Sequence, residues 1–452
     1  MTTASPRTSG GSKAADVFQA RIYDVVVVGS GAAGSCAAIA SARAGASTLL
    51  LEKLPFLGGN STAVLDTFYG FYTPGEHAAK IVGGIGDDVI GGLRRLAAVV
   101  ERPNTYGAGT GVTYLAEHLK VVWESLVTEA GSDVMLHAFV QDVEVSEGRA
   151  ISVDVATKAG LIKIDGSVFV DASGDADVCH HAGFGYEVAG DIDPAQTLTT
   201  TFRMVNVDHE RRRTVDKATL HALMEDAAES GDYDLPRREG SDHITPIDGM
   251  TATVMTRLDH VERGSDGNIR NATDPEILTR AEMMGRRQAL EYARFLIDRV
   301  AGYENASLAA LGTQVGVRET RRVFGDYRVT RADVLSARQF DDQIGLCGAP
   351  IEDHNPGTGT RWEHLPDGAA VGIPFSSLVV RDGSNLLAAG RCFSATHDAH
   401  ASIRSMAQCM AMGQAAGTGA ALAAAGSGDV RDVDPGGLQD ELRAGGAILE
   451  MP

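Results

Sequence analysis

Two short stretches of this chain gather side chains that can move protons and hold anions. Between Cys392 and Arg404 lie His397, His400 and Arg404. An unperturbed imidazole titrates at about 6.5, so either histidine can serve as acid or base near neutrality. A guanidinium at Arg404 can clamp a carboxylate or stabilise enolate-like charge. The same groups have structural uses: the histidines can bond loop backbone, and Arg404 can pair with Asp398. The second stretch is Gly316-Val317-Arg318-Glu319-Thr320-Arg321-Arg322, which follows an apolar run from Leu311. Its guanidiniums can line an anion site, with Arg318 preferred because it directly follows Gly316-Val317, or form salt bridges with Glu319 and Asp326. His180 and His181 are adjacent, so their side chains diverge, and no spaced partner set for a metal accompanies them. A serine-nucleophile motif, G-x-S-x-G, is absent.

The scaffold for these groups begins near the start of the chain. Tyr23 to Val28 is apolar and β-branched and reads as a buried strand, while Ser35 to Arg43 is small and Ala-rich and reads as a helix. Between them runs Gly29-Ser30-Gly31-Ala32-Ala33-Gly34, and a second strand, Ser47 to Leu51, ends in Glu52. Each part has a physical task. Gly29 allows the tight turn, Gly31 lets backbone approach a pyrophosphate, and Gly34 lets helix and strand pack closely. The helix N-terminus offers free N–H groups to phosphate, and Glu52 falls where a carboxylate accepts from a ribose hydroxyl. The Gly-rich runs at 83–92 and 107–111 lack this context. Strand, turn, helix, strand and acid in register mark a dinucleotide site.

Glu52 leads into Lys53-Leu54-Pro55-Phe56-Leu57-Gly58-Gly59-Asn60-Ser61-Thr62. This run resembles the glutathione-reductase-like FAD superfamily, in which glycines without a Cβ let backbone pass beside the cofactor. Val168-Phe169-Val170-Asp171-Ala172-Ser173-Gly174-Asp175 resembles the strand that returns to the cofactor after an inserted β-meander. Asn385-Leu386-Leu387-Ala388-Ala389-Gly390-Arg391 resembles the superfamily's last strand. Within the superfamily, the chain most resembles the bacterial FAD-dependent oxidoreductase family, on Gly316 to Arg322 and on Gly390 to Arg404, and the likeness runs from about Tyr23 to about Ala425.

The resemblance implies FAD, held by Gly29, Gly31, Ala32, Ala33, Gly34, Glu52, Lys53, Gly58, Gly59, Asn60, Ser61, Thr62, Val140, Ala172, Ser173, Gly174, Asp175, Gly390, Arg391, Ser402 and Met406. It also implies that the final long helix, Ser405 to Ala425, points its N-terminus at the flavin and stabilises negative charge there. The loop Cys392–Arg404 then lies beside the flavin, with His397, His400, Arg404 and Arg318 as the catalytic candidates. The expected reaction takes a hydride from a small organic substrate onto flavin N5. No second G-x-G-x-x-G with a following strand and acid marks an NAD(P)H domain, so oxygen, a quinone, a protein or a diffusing acceptor reoxidises the flavin. Gly58 to Thr62 also resembles the fumarate-reductase and ketosteroid-dehydrogenase flavoproteins, which leaves a C=C reductase or desaturase open. A flavoprotein with non-redox chemistry, such as a hydratase, is the third reading.

Composition fits a soluble enzyme. With 452 residues, 44% hydrophobic and 22% charged, the chain can bury a large core and a second lobe. A formal charge of −20 argues against nucleic acid or an anionic membrane as partner. Five scattered cysteines without C-x-x-C fit a reducing compartment, and no targeting or membrane-spanning segment is visible, so the expected location is cytoplasmic. A homo-oligomer is left open.

The fold expected is α/β: a Rossmann-like FAD-binding domain of three ββα layers with a β-meander, interleaved with a second α+β substrate lobe. Residues 1–20 read as a disordered tail. Residues 21–64, 111–195 and 382–428 read as the FAD-binding domain, 65–110 and 196–381 as the substrate lobe, and 429–452 as an extension. Asp208 to Arg270 is strongly charged and reads as surface helices and loops. Ala281 to Val300 reads as an amphipathic helix with Met284, Leu290, Phe295 and Leu296 on its apolar face.

Overall fold

A computed structural model describes residues 21–96, 99–102, 109–357 and 359–451 of the chain. The tail read over 1–20 lies outside these residues.

The chain opens with β1 (Tyr23–Val28), α1 (Ala32–Arg43) and β2 (Thr48–Leu51), and β2 lies parallel to β1 with Thr48 opposite Val25. Helices α2 (Ile85–Leu96) and α3 (Ala116–Glu129) follow, and β3 (Asp133–Met135) joins the outer side of β2. The meander is β4 (Phe139–Ser146), β5 (Arg149–Thr157) and β6 (Gly160–Asp171). Its last strand serves two sheets. The first half of β6 pairs antiparallel with β5 and alternates exposed Leu161 and Lys163 with buried Ile162 and Ile164. From Gly166 it runs parallel to β1, and Val168 to Asp171 are all buried, as a strand covered on both faces requires.

The second lobe holds a four-stranded antiparallel sheet in the order β8-β9-β7-β10, formed by β7 (Phe202–Val205), β8 (Ser241–Ile244), β9 (Thr251–Val254) and β10 (Ser307–Leu311). Helix α4 (Lys217–Ser230) precedes β8, and α5 (Pro275–Arg299) precedes β10. The stretch read as charged surface thus contributes two strands to this sheet, and Thr251, Ala252 and Thr253 on β9 are buried. Helix α5 starts earlier than its apolar pattern does, because Asp274 caps the N–H groups of Glu276 and Ile277 and Pro275 occupies the first turn. Its buried face is Ile277, Ala281, Gly285, Ala289, Tyr292, Ala293, Phe295 and Leu296, while Met284 and Leu290 are exposed.

Strand β11 (Ile351–Asp353) pairs with 361–363 before the chain returns through β12 (Leu386–Ala388), which lies parallel on β6. The expected loop at 392–404 is largely the short helix α6 (His397–Ile403), followed by α7 (Met406–Ala425) and α8 (Pro435–Ala444). The sheet order is β3-β2-β1-β6-β5-β4, with β12 on β6.

Helix α1 is buried from Ala32 to Ser41 because α7 covers the face turned from the sheet. A Cβ on Gly413 would stand 2.0 Å from the Ala33 carbonyl oxygen, and one on Gly417 would stand 2.2 Å from that of Ala37. The two backbones touch, and only glycine permits it. Helix α2 packs into this core: Val89 and Leu93 share one cluster with Val122, Leu126 and Met412. Each such side chain contributes about 1.5–3 kcal/mol when fully buried.

Candidate active site

A cavity of about 840 Å³ runs from the glycine turn after β1 into the second lobe. At its first end, geometry sorts the glycines. A Cβ on Gly34 would stand 1.8 Å from the Gly29 carbonyl oxygen, so Gly34 serves packing. A Cβ on Gly31 would meet no atom within 4 Å, and Gly31 lines the cavity. No side chain among the described residues caps the N-terminus of α1 behind it, which leaves its first N–H groups for a ligand. Gly58 (φ +107°) and Gly59 (φ +52°) turn the backbone along the cavity wall in a region that side chains resist.

Glu52 accepts from the Ser30 N–H at 2.8 Å, the Ser30 hydroxyl at 2.6 Å and the Leu54 N–H at 2.7 Å, and it still reaches the cavity. Asp171 anchors the turn after β6 by accepting from the Ser173 and Cys179 N–H groups, and burial pushes its carboxyl up to about 6. Asp175 is ionised against burial by Arg391, 2.9 Å away, with further help from Lys53. The buried Nη1 of Arg391 has no partner among the described residues.

Of the residues expected to hold FAD, Gly29, Gly31, Ala32, Ala33, Glu52, Lys53, Gly58, Gly59, Asn60, Ser61, Val140, Ala172, Ser173, Gly174, Asp175, Gly390, Arg391 and Met406 line the cavity. Gly34, Thr62 and Ser402 stand outside its lining. The Thr62 hydroxyl donates to the Leu57 carbonyl at 2.7 Å, and that of Ser402 to the Ala349 carbonyl at 2.6 Å. An uncapped helix start, an open glycine cradle, a carboxylate at the end of β2 and an orphan guanidinium donor fit a flavin dinucleotide.

The other end is cationic. Arg237, Arg318 and Arg404 line it and are held by carbonyls rather than carboxylates: Arg237 by Val254, Arg318 by Thr197 and Arg404 by the Gln196 side chain. The buried Nε atoms of Arg237 and Arg404 have no partner among the described residues. Glu352 and His354 share this end, with His354 Nε2 3.1 Å from the Glu352 carboxylate. Burial would raise Glu352, but the His354 hydrogen bond and the charges of Arg404 and Arg318 hold it down at about 2. Burial, then the charge of Arg318, pushes His354 down to about 3, so it is neutral at pH 7.

His397 and His400 are not brought to the cavity. His397 is buried between carboxylates, its Nδ1 3.1 Å from Glu319 and its Nε2 3.1 Å from Asp353. His400 bonds the Arg391 carbonyl at 2.8 Å, packs on Phe393 and is fully buried, which drives its pKa well below the ordinary value. Arg321 pairs with Asp177, and Arg322 with Glu319 and Glu187, so Arg318 alone of its cluster faces the cavity. Arg404 is not paired with Asp398, which binds Arg361. Arg237, Glu352 and His354 escaped the sequence reading because no motif surrounds them.

The buried histidines make stability depend on acidity. Burial pushes His243 and His354 down to about 3 and His260 to about 4. Unfolded, each takes a proton near pH 6.5. Their effect is therefore nil above pH 6.5, and stability is lost as pH falls from there toward the folded values. The slope is about 1.4 kcal/mol per pH unit for each histidine. Urea unfolding at pH 7 and pH 5 should show a marked fall in midpoint, and equal midpoints would contradict neutral burial.

A family model described as FAD dependent oxidoreductase matches residues 24–442. Over 58 residues the chain is 45% identical to a fumarate reductase (cytochrome) of Shewanella frigidimarina, which covers 13% of this chain and 10% of that one. Over 199 residues it is 29% identical to digeranylgeranylglycerophospholipid reductase 2 of Methanothermobacter thermautotrophicus, covering 38% of this chain and 48% of the other. The chain thus spans less than half the length of these relatives. The solved structure of a geranylgeranyl bacteriochlorophyll reductase-like protein from Thermoplasma acidophilum overlays with a TM-score of 0.48 at 14% identity, over 94% of this chain and 83% of that one. No helix among the described residues is long and apolar enough to cross a membrane. With the family match running from β1 into α8, the chain belongs to the FAD-dependent oxidoreductases.

Proposed function

We propose that this enzyme oxidises a small anionic organic substrate whose charged group sits on Arg237, Arg318 and Arg404. The observation that carries this reading is the cavity itself, one end shaped for a dinucleotide and the other lined by three guanidiniums that, among the described residues, bond carbonyls and form no carboxylate ion pair. FAD, when bound, supplies the acceptor for the substrate's hydride. The chain's own groups do the rest. Gly31 and the start of α1 receive the pyrophosphate, Glu52 receives a ribose, and the uncapped N-terminus of α7 at Ser405 and Met406 favours negative charge at the cavity wall. The arginines fix the anion by charge-assisted hydrogen bonds and so orient the reacting carbon.

A second reading, reduction of a C=C bond beside a carboxylate, draws support from two relatives named as reductases and from Glu352 and His354 near the anion site. Anaerobic spectra with a panel of small carboxylic acids separate the two. Bleaching of the flavin by a saturated acid supports oxidation. Reoxidation of chemically reduced enzyme by an unsaturated acid supports reduction. If neutral compounds alone change the spectrum, the anion site is wrong. Oxygen or another diffusing acceptor closes the oxidative cycle.

A further inference from the structure

We propose that the substrate carries a neutral hydroxyl or carbonyl group, set apart from its anionic group by an apolar body, and that His243 on β8 holds that neutral group. This rests on the anion-holding role just given to Arg237, Arg318 and Arg404.

The strand register fixes where His243 points. Side chains on β8 alternate between its two faces. Asp242 turns into the second lobe, where it accepts from Arg212 Nε at 2.7 Å and from the Tyr303 hydroxyl at 2.6 Å. Ser241 and His243 turn the other way, and both line the cavity. On β9 the cavity-lining residues are Val254 and Ala252, which stand opposite Ser241 and His243.

The same register measures the ligand. Arg237 donates to the Val254 carbonyl at 3.3 Å, which sets the anion at the level of Val254 and Ser241. His243 and Ala252 lie two residues away along the strands, roughly 7 Å at strand spacing. Ala252 and Val254 carry no polar side chain, and β9 is paired on both sides, with β8 and β7. A ligand lying along β9 therefore meets an anion clamp, then an apolar wall, then an imidazole.

That imidazole is built into the wall without a partner. His243 is 8% exposed, and its Nδ1 is buried with no partner among the described residues. No described residue bonds Nε2 either, and that nitrogen is not sealed off, so it opens on the cavity. Burial keeps the ring neutral at pH 7, so Nε2 offers one hydrogen bond and no charge. The other polar side chain of this row is taken: beyond Ala252, Arg203 gives its Nε and Nη2 to Asp66 at 3.0 and 2.6 Å. An imidazole this buried and left unbonded costs free energy, which a ligand hydroxyl or carbonyl recovers. A wall of this kind selects for the group it is built to bond.

Phenylacetate, 3-hydroxyphenylacetate and 4-hydroxyphenylacetate are the probes, because a rigid ring holds each hydroxyl at a fixed distance from the carboxylate, longest in the 4-isomer. In calorimetric titration of the FAD-loaded protein, the 4-hydroxy acid should bind about three- to ten-fold tighter than phenylacetate, and the 3-isomer should gain less. His243→Leu should bind phenylacetate as wild type does and lose the preference for the 4-hydroxy acid. His243→Gln, which keeps a hydrogen-bonding group, should restore part of it. Equal affinity of wild type for phenylacetate and the 4-hydroxy acid overturns the assignment, and so does a preference that survives His243→Leu. The three acids are compared on wild type, so the test stands even where His243→Leu fails to fold. A weakened hold on FAD in folded His243→Leu gives the ring to the cofactor and also overturns the assignment. Arg404→Ala tests the underlying reading separately, since it should weaken all three acids alike. If it weakens none, or if wild type binds none, the anion site fails and this proposal with it.

Discussion

Protein carrying Gly31→Val should purify folded and colourless. The φ of −58° and ψ of −177° at this position suit any residue, and a Cβ there meets nothing within 4 Å. The side chain therefore costs the fold little and occupies the space that a pyrophosphate needs. Gly34→Ala makes the opposite prediction. Its Cβ would collide with the Gly29 carbonyl at 1.8 Å, and overpacking of this kind costs about 1–3 kcal/mol or more. A thermal melt and the ratio of flavin to protein absorbance measure both effects. A yellow Gly31→Val protein, or a Gly34→Ala protein as stable as wild type, would reverse the roles given to these two glycines.

Arg404→Ala should retain FAD and lose about 10- to 150-fold in the rate or affinity of substrate-driven flavin reduction, the equivalent of one charged hydrogen bond of about 1.5–3 kcal/mol. Lysine at this position should recover part of the loss, since it restores charge but not the planar fork. His400→Ala should behave differently. It removes a buried ring that bonds the Arg391 carbonyl and packs on Phe393, so it lowers the melting temperature before it alters chemistry. Stopped-flow reduction beside a melting curve distinguishes the two. Equal reduction rates in wild type and Arg404→Ala would move the anion site elsewhere.

The dinucleotide end was legible because its information is local. Strand, glycine turn, helix and acid lie within 23–52, and each residue's task follows from its own neighbours. Gly413 and Gly417 stand one turn apart, a spacing that fits close helix contact, but nothing in the sequence names α1 as the partner. The cationic end was legible only at Arg318 and Arg404. What hid the rest is distance along the chain. His397 has Glu319 and Asp353, far from it in sequence, closed on both its nitrogens. Arg237 lay in a charged stretch whose strands are recognisable only once β7 supplies a partner for β9. Met284 and Leu290 follow a helical period, yet the second lobe packs on the opposite face of α5.

The contact between α1 and α7 also sets an order of manufacture. During synthesis β1, α1 and β2 emerge well before β12, which flanks β6, and α7, which seals α1. Until then the apolar side of α1 has no cover, and its closure must bridge most of the chain, the kind of distant pairing that slows folding. A nascent chain stopped short of Leu386 holds the residues of the glycine turn without the helix that braces them. Cofactor capture is thus deferred until α7 has emerged, and fragments that stop before it leave a greasy surface for chaperones and proteases to recognise.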